Sequence, residues 1–363
     1  MSEKGSFDAI IVGGGVIGLS CAWRAARLGA RVVVLERDRP PAGATRVAAG
    51  MLAPVGELSF GEPELLELTL ASAELYPDFV AELEYASGRA TGHAVSGALH
   101  VALDRDEGAQ LRRVHELQCD RGLAAEWLPP EACRELEPAL TPSLAGGVHA
   151  PGEASIDPRA MTDALLGALR SEGVEVRAGE EVAEARFEDR RLAGVRTASG
   201  EELRARAVVL AAGAWSGRAE WLPPAARPPV RPVKGQILEL RSPDGVAPCG
   251  RILASERVYL VPRGDGRLIV GATVEEQGFD TAVTAGGLHE LLREAYRLLP
   301  EVAEMELVEA TAGLRPGTPD NLPLIGPGAL EGLILATGHY RNGILLAPLT
   351  ADRVAEALAG VAA

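Results

Sequence analysis

The hydrophobic positions are most orderly at the start of the chain. Residues 7–12 (FDAIIV) form a short apolar run of strand character, and Gly13, Gly14 and Gly15 follow at once. Over residues 16–28 the apolar positions Val16, Leu19, Trp23 and Ala26 recur at three- and four-residue spacing, which predicts a helix that stops at Gly29. Residues 31–35 (RVVVL) are rich in β-branched side chains and lack polar alternation, as in a parallel strand covered on both faces. Strand, turn, helix and strand in this order make a βαβ unit. Further along, helices are predicted over 63–86, 159–171, 287–299 and 344–359, the last ending at Gly360. Asp157 and Pro158 mark the start of the second of these, as N-cap and first-turn residue. Strands are predicted over 173–177, 205–210 and 332–337, and 258–262 with 267–273 flank Arg263-Gly264-Asp265-Gly266 as a hairpin. The parallel-strand pieces sit at the two ends and in the middle, with hairpin-like pieces between them. No repeat and no long linker appears, so the 363 residues are expected to form two interwoven domains.

Composition narrows the function classes. With 47% hydrophobic and 24% charged residues the chain is an ordinary globular protein. Its net charge of −15, from 36 basic and 51 acidic side chains, argues against a nucleic-acid partner and against a basic membrane-surface protein. No apolar run reaches the roughly 18–20 residues of a membrane helix, and residues 1–6 show no long apolar region or cleavage site, so secretion is not expected. Cys21, Cys119, Cys133 and Cys249 are scattered, with no C-x-x-C and no histidine at metal-ligating spacing. Reduced, mostly buried thiols, a cytoplasmic location and no metal are therefore expected.

Four motifs carry chemistry. Gly13-x-Gly15-x-x-Gly18 lies between strand and helix, and Glu36 closes the next strand. The first glycine permits the tight turn, the second lets a pyrophosphate approach the backbone, and the third lets the helix pack on the strand. The helix N-terminus attracts phosphate, and Glu36 can accept hydrogen bonds from ribose hydroxyls. This predicts dinucleotide binding without distinguishing NAD from FAD. Ala211-Ala212-Gly213-Ala214-Trp215 follows a strand, and Gly213 there suits either a close cofactor or a plain tight turn. In Ala312 to Asp320 (AGLRPGTPD), Arg315 is expected on a stiff loop, where its guanidinium fork matches a carboxylate; a surface arginine is the alternative. Residues 337–344 (TGHYRNGI) join a strand to the last helix; His339 alone reads as structural, while Arg341 offers a second fixed positive charge. Tyr259 in the hairpin (VYLVP) is either a core aromatic or a pocket residue. No nucleophile elbow, zinc-protease helix or P-loop motif is present.

With these residues in view, the chain resembles the FAD-dependent D-amino-acid-oxidase-like amine oxidases, and within them the glycine-oxidase branch of thiamine biosynthesis. The resemblance is carried by IIVGGGVIGLS near the start, AAGMLAP at 48–54, PGEASIDPRA at 151–160, AAGAW at 211–215, GLRPGTPD at 313–320 and ATGHYRNGILLAP at 336–348. It implies an α/β fold: a Rossmann-like FAD-binding domain with a parallel sheet, interleaved with an α+β substrate domain on a large mixed or antiparallel sheet. The expected division is 1–84, 150–225 and 310–363 for FAD, with 85–149 and 226–309 for substrate.

The resemblance also implies roles. Gly13, Gly15, Val16, Ile17 and Gly18 meet the pyrophosphate, and Glu36 and Arg37 the adenosine ribose. Ala44, Thr45, Ala49, Gly50 and Met51 contact FAD along the loop after the second strand, and Val182 meets the adenine through its backbone. Gly213 binds the cofactor, and the run His339, Tyr340, Arg341, Asn342, Gly343, Ile344 and Leu345 lines the isoalloxazine. Arg315 holds the substrate carboxylate, with Tyr259 and Arg341 near it, and Val274 is expected near the pocket. No side chain is assigned as a general base, because the flavin carries the chemistry. Covalently flavinylated relatives use a cysteine before the T-P-D element; the stretch here, AGLRPG, has none, so non-covalent FAD is expected. Those relatives also carry a lysine where this chain reads RLIV at 267–270. The implied reaction converts glycine, sarcosine or a small D-amino acid to the imine, with dioxygen giving hydrogen peroxide, in a homo-oligomer that supplies a thiazole synthase. A broader D-amino-acid or sarcosine oxidase or dehydrogenase, and a non-catalytic dinucleotide-binding subunit, are the competing readings.

Overall fold

The computed structural model describes residues 6–362. The polar lead-in at 1–5 lies outside the described residues. The opening βαβ unit forms as the pattern dictates, as strand Phe7–Val12, helix Val16–Arg27 and strand Val32–Glu36. These strands sit at the centre of a parallel sheet in the order Glu175–Ala178, Val32–Glu36, Phe7–Val12, Glu202–Leu210, Leu333–Thr337. Strand Leu324–Pro327 adds antiparallel to the last of them. The hairpin of Val182–Glu188 and Arg191–Thr197 continues from the first half of Glu202–Leu210. Helices Val16–Arg27, Pro63–Ser87, Pro158–Ser171 and Ala347–Ala362 contribute to the core cluster of one face, where Leu19, Trp23, Phe79, Leu83, Met161, Leu165 and Val354 are buried together. Trp23 meets Phe79 edge to face, with centroids 5.3 Å apart.

A second eight-stranded sheet runs Glu306–Gly317, Arg231–Arg241, Arg267–Gly271, Tyr259–Pro262, Ile252–Ala254, Ala98–Ala102, Gly146–Ala150, Glu126–Leu128. All its pairings are antiparallel except that of Ile252–Ala254 with Ala98–Ala102. Leu291, Ala295 and Leu298 of helix Ala285–Leu298 bury against Leu238, Leu268 and Val270 of this sheet. The architecture is thus mixed α/β, a parallel sheet joined to a largely antiparallel one.

Several expectations need correction. Arg315 does not sit on a loop: it lies in strand Glu306–Gly317, which pairs along its length with Arg231–Arg241, Arg315 opposite Val233. The glycines and prolines of this segment suggested a turn, but the strand is the sheet's edge, where proline is tolerated. Strand 205–210 is the inner part of the longer Glu202–Leu210, and the last helix runs past Gly360. Cys21, Cys133 and Cys249 are buried, whereas Cys119 is exposed, and His115 one helical turn earlier places Nε2 3.6 Å from its Sγ. A histidine therefore does stand beside one cysteine. Among the described residues no helix is long and apolar enough to cross a membrane.

Candidate active site

A cavity of about 700 Å³ opens at the carboxyl ends of the parallel strands and extends to the second sheet. Open α/β sheets bind ligands at this edge. The turn after Phe7–Val12 is built for close approach. Gly13 has φ +116°, and a Cβ there would strike the Ala211 carbonyl. A Cβ at Gly18 would strike the Gly13 carbonyl, so helix and strand approach only because residue 18 has no side chain. Gly18 thus acts beneath the cavity and does not line it, while Gly13, Gly15, Val16 and Ile17 do. The helix Val16–Arg27 has Gly15 as its N-cap, which brings no side chain of its own, and no acid lies in its first turn, so its positive end faces the cavity. Thr45 Oγ1 accepts a hydrogen bond from the Val16 N–H at 3.0 Å. Glu36 accepts from the N–H groups of Gly14, at 2.6 Å, and Asp38, at 2.8 Å, and so ties the glycine turn to the end of the second strand. Arg37 lies over the Trp215 ring at 4.9 Å, and Val182 lines the cavity together with Glu181 and Ala198.

The middle of the cavity is bordered by Ala44, Thr45, Ala49, Gly50 and Met51 on one segment, and by Gly213, His339, Tyr340, Arg341, Gly343 and Ile344 on others. His339 is buried, with Nε2 2.9 Å from Thr350 Oγ1 on the last helix. Burial pushes its pKa down to about 3, so the ring is neutral and structural. Tyr340 takes φ +47°, and its N–H donates to the Pro316 carbonyl at 2.9 Å, which pins this turn to the second sheet's edge strand. Asn342 and Leu345 do not line the cavity. The chain coils into the helix here, so Asn342 faces a small separate pocket beside Leu58 and Thr69. Leu345 enters the core, where its carbonyl accepts from Ser72 Oγ at 2.7 Å.

At the other end the structure brings Tyr259, Arg315 and Arg341 together. Arg315 Nη1 donates to the carbonyls of Thr273, at 3.0 Å, and Lys234, at 3.4 Å. Gly235 on the neighbouring strand makes room for the guanidinium, which a Cβ there would strike. Gly271 does the same for the Tyr259 ring. The Tyr259 ring lies in the same cavity end as Arg315; burial raises its hydroxyl pKa and the arginine opposes that rise. Val274 is 61% exposed and lies outside the cavity lining, because the chain has left the strand and turned to solvent.

Sequence reasoning missed Glu57, which lines this same end. Burial pushes its carboxyl above the usual range, opposed by the charges of Arg341 and Arg315. The one signal was an acid following closely on the apolar AAGMLAP stretch. Trp215 and Ile237 also border the cavity and were not singled out as site residues.

The family model described as "FAD dependent oxidoreductase" (DAO) matches residues 8–357. The chain belongs to this family of FAD-dependent oxidoreductases. It is 39% identical to the bifunctional protein ThiO/ThiG of Trichormus variabilis over 96% of its own length and 52% of that protein, so it spans about half of this relative. It is 32% identical to the hydrogen cyanide synthase subunit HcnC of Pseudomonas aeruginosa, over 95% of this chain and 90% of that one. The crystal structure of glycine oxidase from Geobacillus kaustophilus superposes with a TM-score of 0.91 at 34% identity, covering 98% of this chain and 95% of that one.

The residues present fit the family's cofactor. The glycine turn leaves no side chain between the backbone and the cavity, the helix above it carries no acid, and the cavity continues past the turn to the second sheet. Gly13, Gly15, Val16 and Thr45 would hold the phosphates of FAD, Glu36 and Arg37 the ribose, and the backbone of 339–344 the flavin ring. No cysteine lines the cavity.

Proposed function

We propose that this protein is a glycine oxidase: it converts glycine, and related small amines such as sarcosine or small D-amino acids, to the imine. Water then hydrolyses the imine to glyoxylate and ammonia, and dioxygen is reduced to hydrogen peroxide. Non-covalently bound FAD supplies the two-electron acceptor for the hydride leaving the substrate α-carbon. The observation that carries the reading is the Arg315 guanidinium, fixed by two backbone carbonyls beside Tyr259 and Arg341, at the end of a dinucleotide cavity. The likeness to one half of a bifunctional ThiO/ThiG protein supports a downstream partner that uses the product. A cytoplasmic homo-oligomer, with a thiazole synthase as downstream partner, completes the proposal.

The chain's own residues bind and orient. A carboxylate leaving water for this site needs a cation and aligned donors, and Arg315 with Tyr259 provides both. Arg341 adds positive charge at the same end. Met51, Ile237 and Tyr259 belong to one apolar cluster beside the clamp, which restricts the space for a side chain on the substrate. Holding the carboxylate fixes where the α-carbon points, and that placement is the protein's main contribution to rate. The test is the visible spectrum of the purified yellow protein on anaerobic addition of glycine. Bleaching of the flavin bands, with peroxide formed when air is readmitted, is expected. A spectrum untouched by glycine, sarcosine and D-alanine alike sinks the oxidase reading and leaves a non-catalytic subunit. Bleaching without peroxide in air identifies a dehydrogenase.

A further inference from the structure

An amino acid presents two charges, and the arginine clamp accounts for one. We propose that Glu57 is the complementary element: it binds the substrate ammonium, selects amino acids over plain carboxylates, and accepts the proton the amine must lose before its C–H bond is broken. This rests on the oxidase reading above and names how that site tells its substrate from other small acids.

Position carries the argument first. Glu57 lines the same cavity as Arg315, Arg341 and Tyr259. Among the described residues no hydrogen bond and no ion pair within 4.0 Å reaches its carboxylate. A carboxylate in a cavity with no protein donor of its own is costly unless a ligand supplies one. The backbone beneath it is held on three sides. The Gly56 N–H donates to Glu153, which is nearly fully buried, the Val55 carbonyl accepts from Gln118 Nε2 at 2.9 Å, and the Glu57 N–H donates to the Ala53 carbonyl at 3.0 Å. Gly56 leaves no room for drift, since a Cβ there would strike the His100 ring. A loop tied by these bonds that carries one unpartnered acid into a substrate pocket is preorganised for a cation.

Electrostatics agrees. The charged and titratable groups facing Glu57 are Arg315 and Tyr259 from the second sheet, Arg341 from the turn before the last helix, and Glu153 from beneath. Burial raises the proton affinity of Glu57, and Arg341 and Arg315 oppose that rise. A substrate carboxylate arriving at Arg315 cancels part of that positive charge and raises the proton affinity of Glu57. Binding of the acid end therefore prepares Glu57 to take a proton from the other end. In the transfer one ammonium N–H bond breaks and one O–H bond forms on Glu57; no electrons change hands, and the amine keeps its lone pair for the oxidation. Glu57 returns the proton to solvent as product leaves. A hydroxy acid or a simple carboxylate offers no ammonium and meets an uncompensated negative charge.

The experiment compares Glu57→Gln and Glu57→Asp with the wild-type holoenzyme, using two probes. The dissociation constant of glycine is read from anaerobic flavin reduction rates, and that of acetate from the perturbed flavin spectrum at equilibrium. Glu57→Gln is expected to weaken glycine at least tenfold while acetate binds several-fold more tightly; Glu57→Asp is expected to restore the wild-type order. Unchanged glycine binding in Glu57→Gln overturns the proposal, and so does equal weakening of both probes in both variants, which marks a merely structural acid. Failure of glycine to reduce the wild-type flavin refutes the oxidase reading itself, a result separate from either of these.

Discussion

Arg315 shows how a single side chain is made useful by its neighbours. Its strand position opposite Val233, the missing side chain at Gly235 and the two carbonyls on Nη1 fix the guanidinium before any substrate arrives. Little ordering remains to be lost on binding, which favours affinity. Removing one partner of a buried charge pair costs about 2–5 kcal/mol, so Arg315→Ala raises the KM for glycine by roughly 30-fold or more. FAD content, read from the flavin absorbance, is expected to stay near stoichiometric, because Arg315 stands at the far end from the phosphate turn. Peroxide assays over a range of glycine concentrations check this, and an unaltered KM would show that the carboxylate lies elsewhere. Arg315→Lys should recover only part of the loss, since an ammonium cannot reproduce the planar fork.

Elements differ in how plainly the sequence announces them, and the reason is how local their determinants are. The glycine turn and its flanking strand and helix were legible because the spacing of Gly13, Gly15 and Gly18 and the apolar periodicity lie within one short stretch. Asp157 was legible as an N-cap for the same reason, and its carboxylate accepts from the N–H groups of Arg159 and Ala160. Strands Arg231–Arg241 and Glu306–Gly317 were not, because Pro232, Gly235, Gly313 and Pro316 argue locally for loops and only their mutual pairing makes them strands. Glu57 was illegible because the acid that holds its loop, Glu153, lies almost a hundred residues away. That acid predicts an unusual pH response. Burial pushes the Glu153 pKa up to about 8, and His100 beside it is pushed down to about 4 by burial. A carboxyl whose folded pKa lies above its unfolded value contributes stability that is fully present below the unfolded value and is lost as pH rises through the folded one. The wild-type protein should therefore lose stability between about pH 4.5 and 8 through this group. Glu153→Gln keeps an oxygen for the Gly56 N–H and has no proton to lose. Its Tm relative to wild type should climb from about pH 5 to pH 8 and level off above that; a difference independent of pH over this range would show that Glu153 is already ionised in the folded protein.

At the scale of the molecule, the two sheets are coupled twice, directly and through the cavity. The direct coupling is ionic: Arg267, on the second sheet, meets Asp157 at 2.7 Å at the head of a helix packed on the first, and Arg159 of that helix meets Glu309 of the second sheet's edge strand at 2.6 Å. Such partly buried pairs specify how the halves dock more than they stabilise the docked form. The coupling through the cavity is larger in reach, because its walls come from both sheets: Val12, Leu35 and Ala211 from strand ends of the first, Gly235, Ile237, Tyr259 and Arg315 from the second. A ligand filling that space binds only when both halves are folded and docked, so its binding free energy stabilises them together. With free FAD at a hundred times its dissociation constant the gain is about 2.7 kcal/mol. For a chain of this size that raises Tm by roughly 3–4 °C. Scanning calorimetry of apoprotein, prepared by stripping the flavin, against the same sample with excess FAD reads the effect directly. A single transition displaced upward by the cofactor is expected, and a half that melts at the same temperature with or without FAD would show that its walls do not belong to the cofactor site.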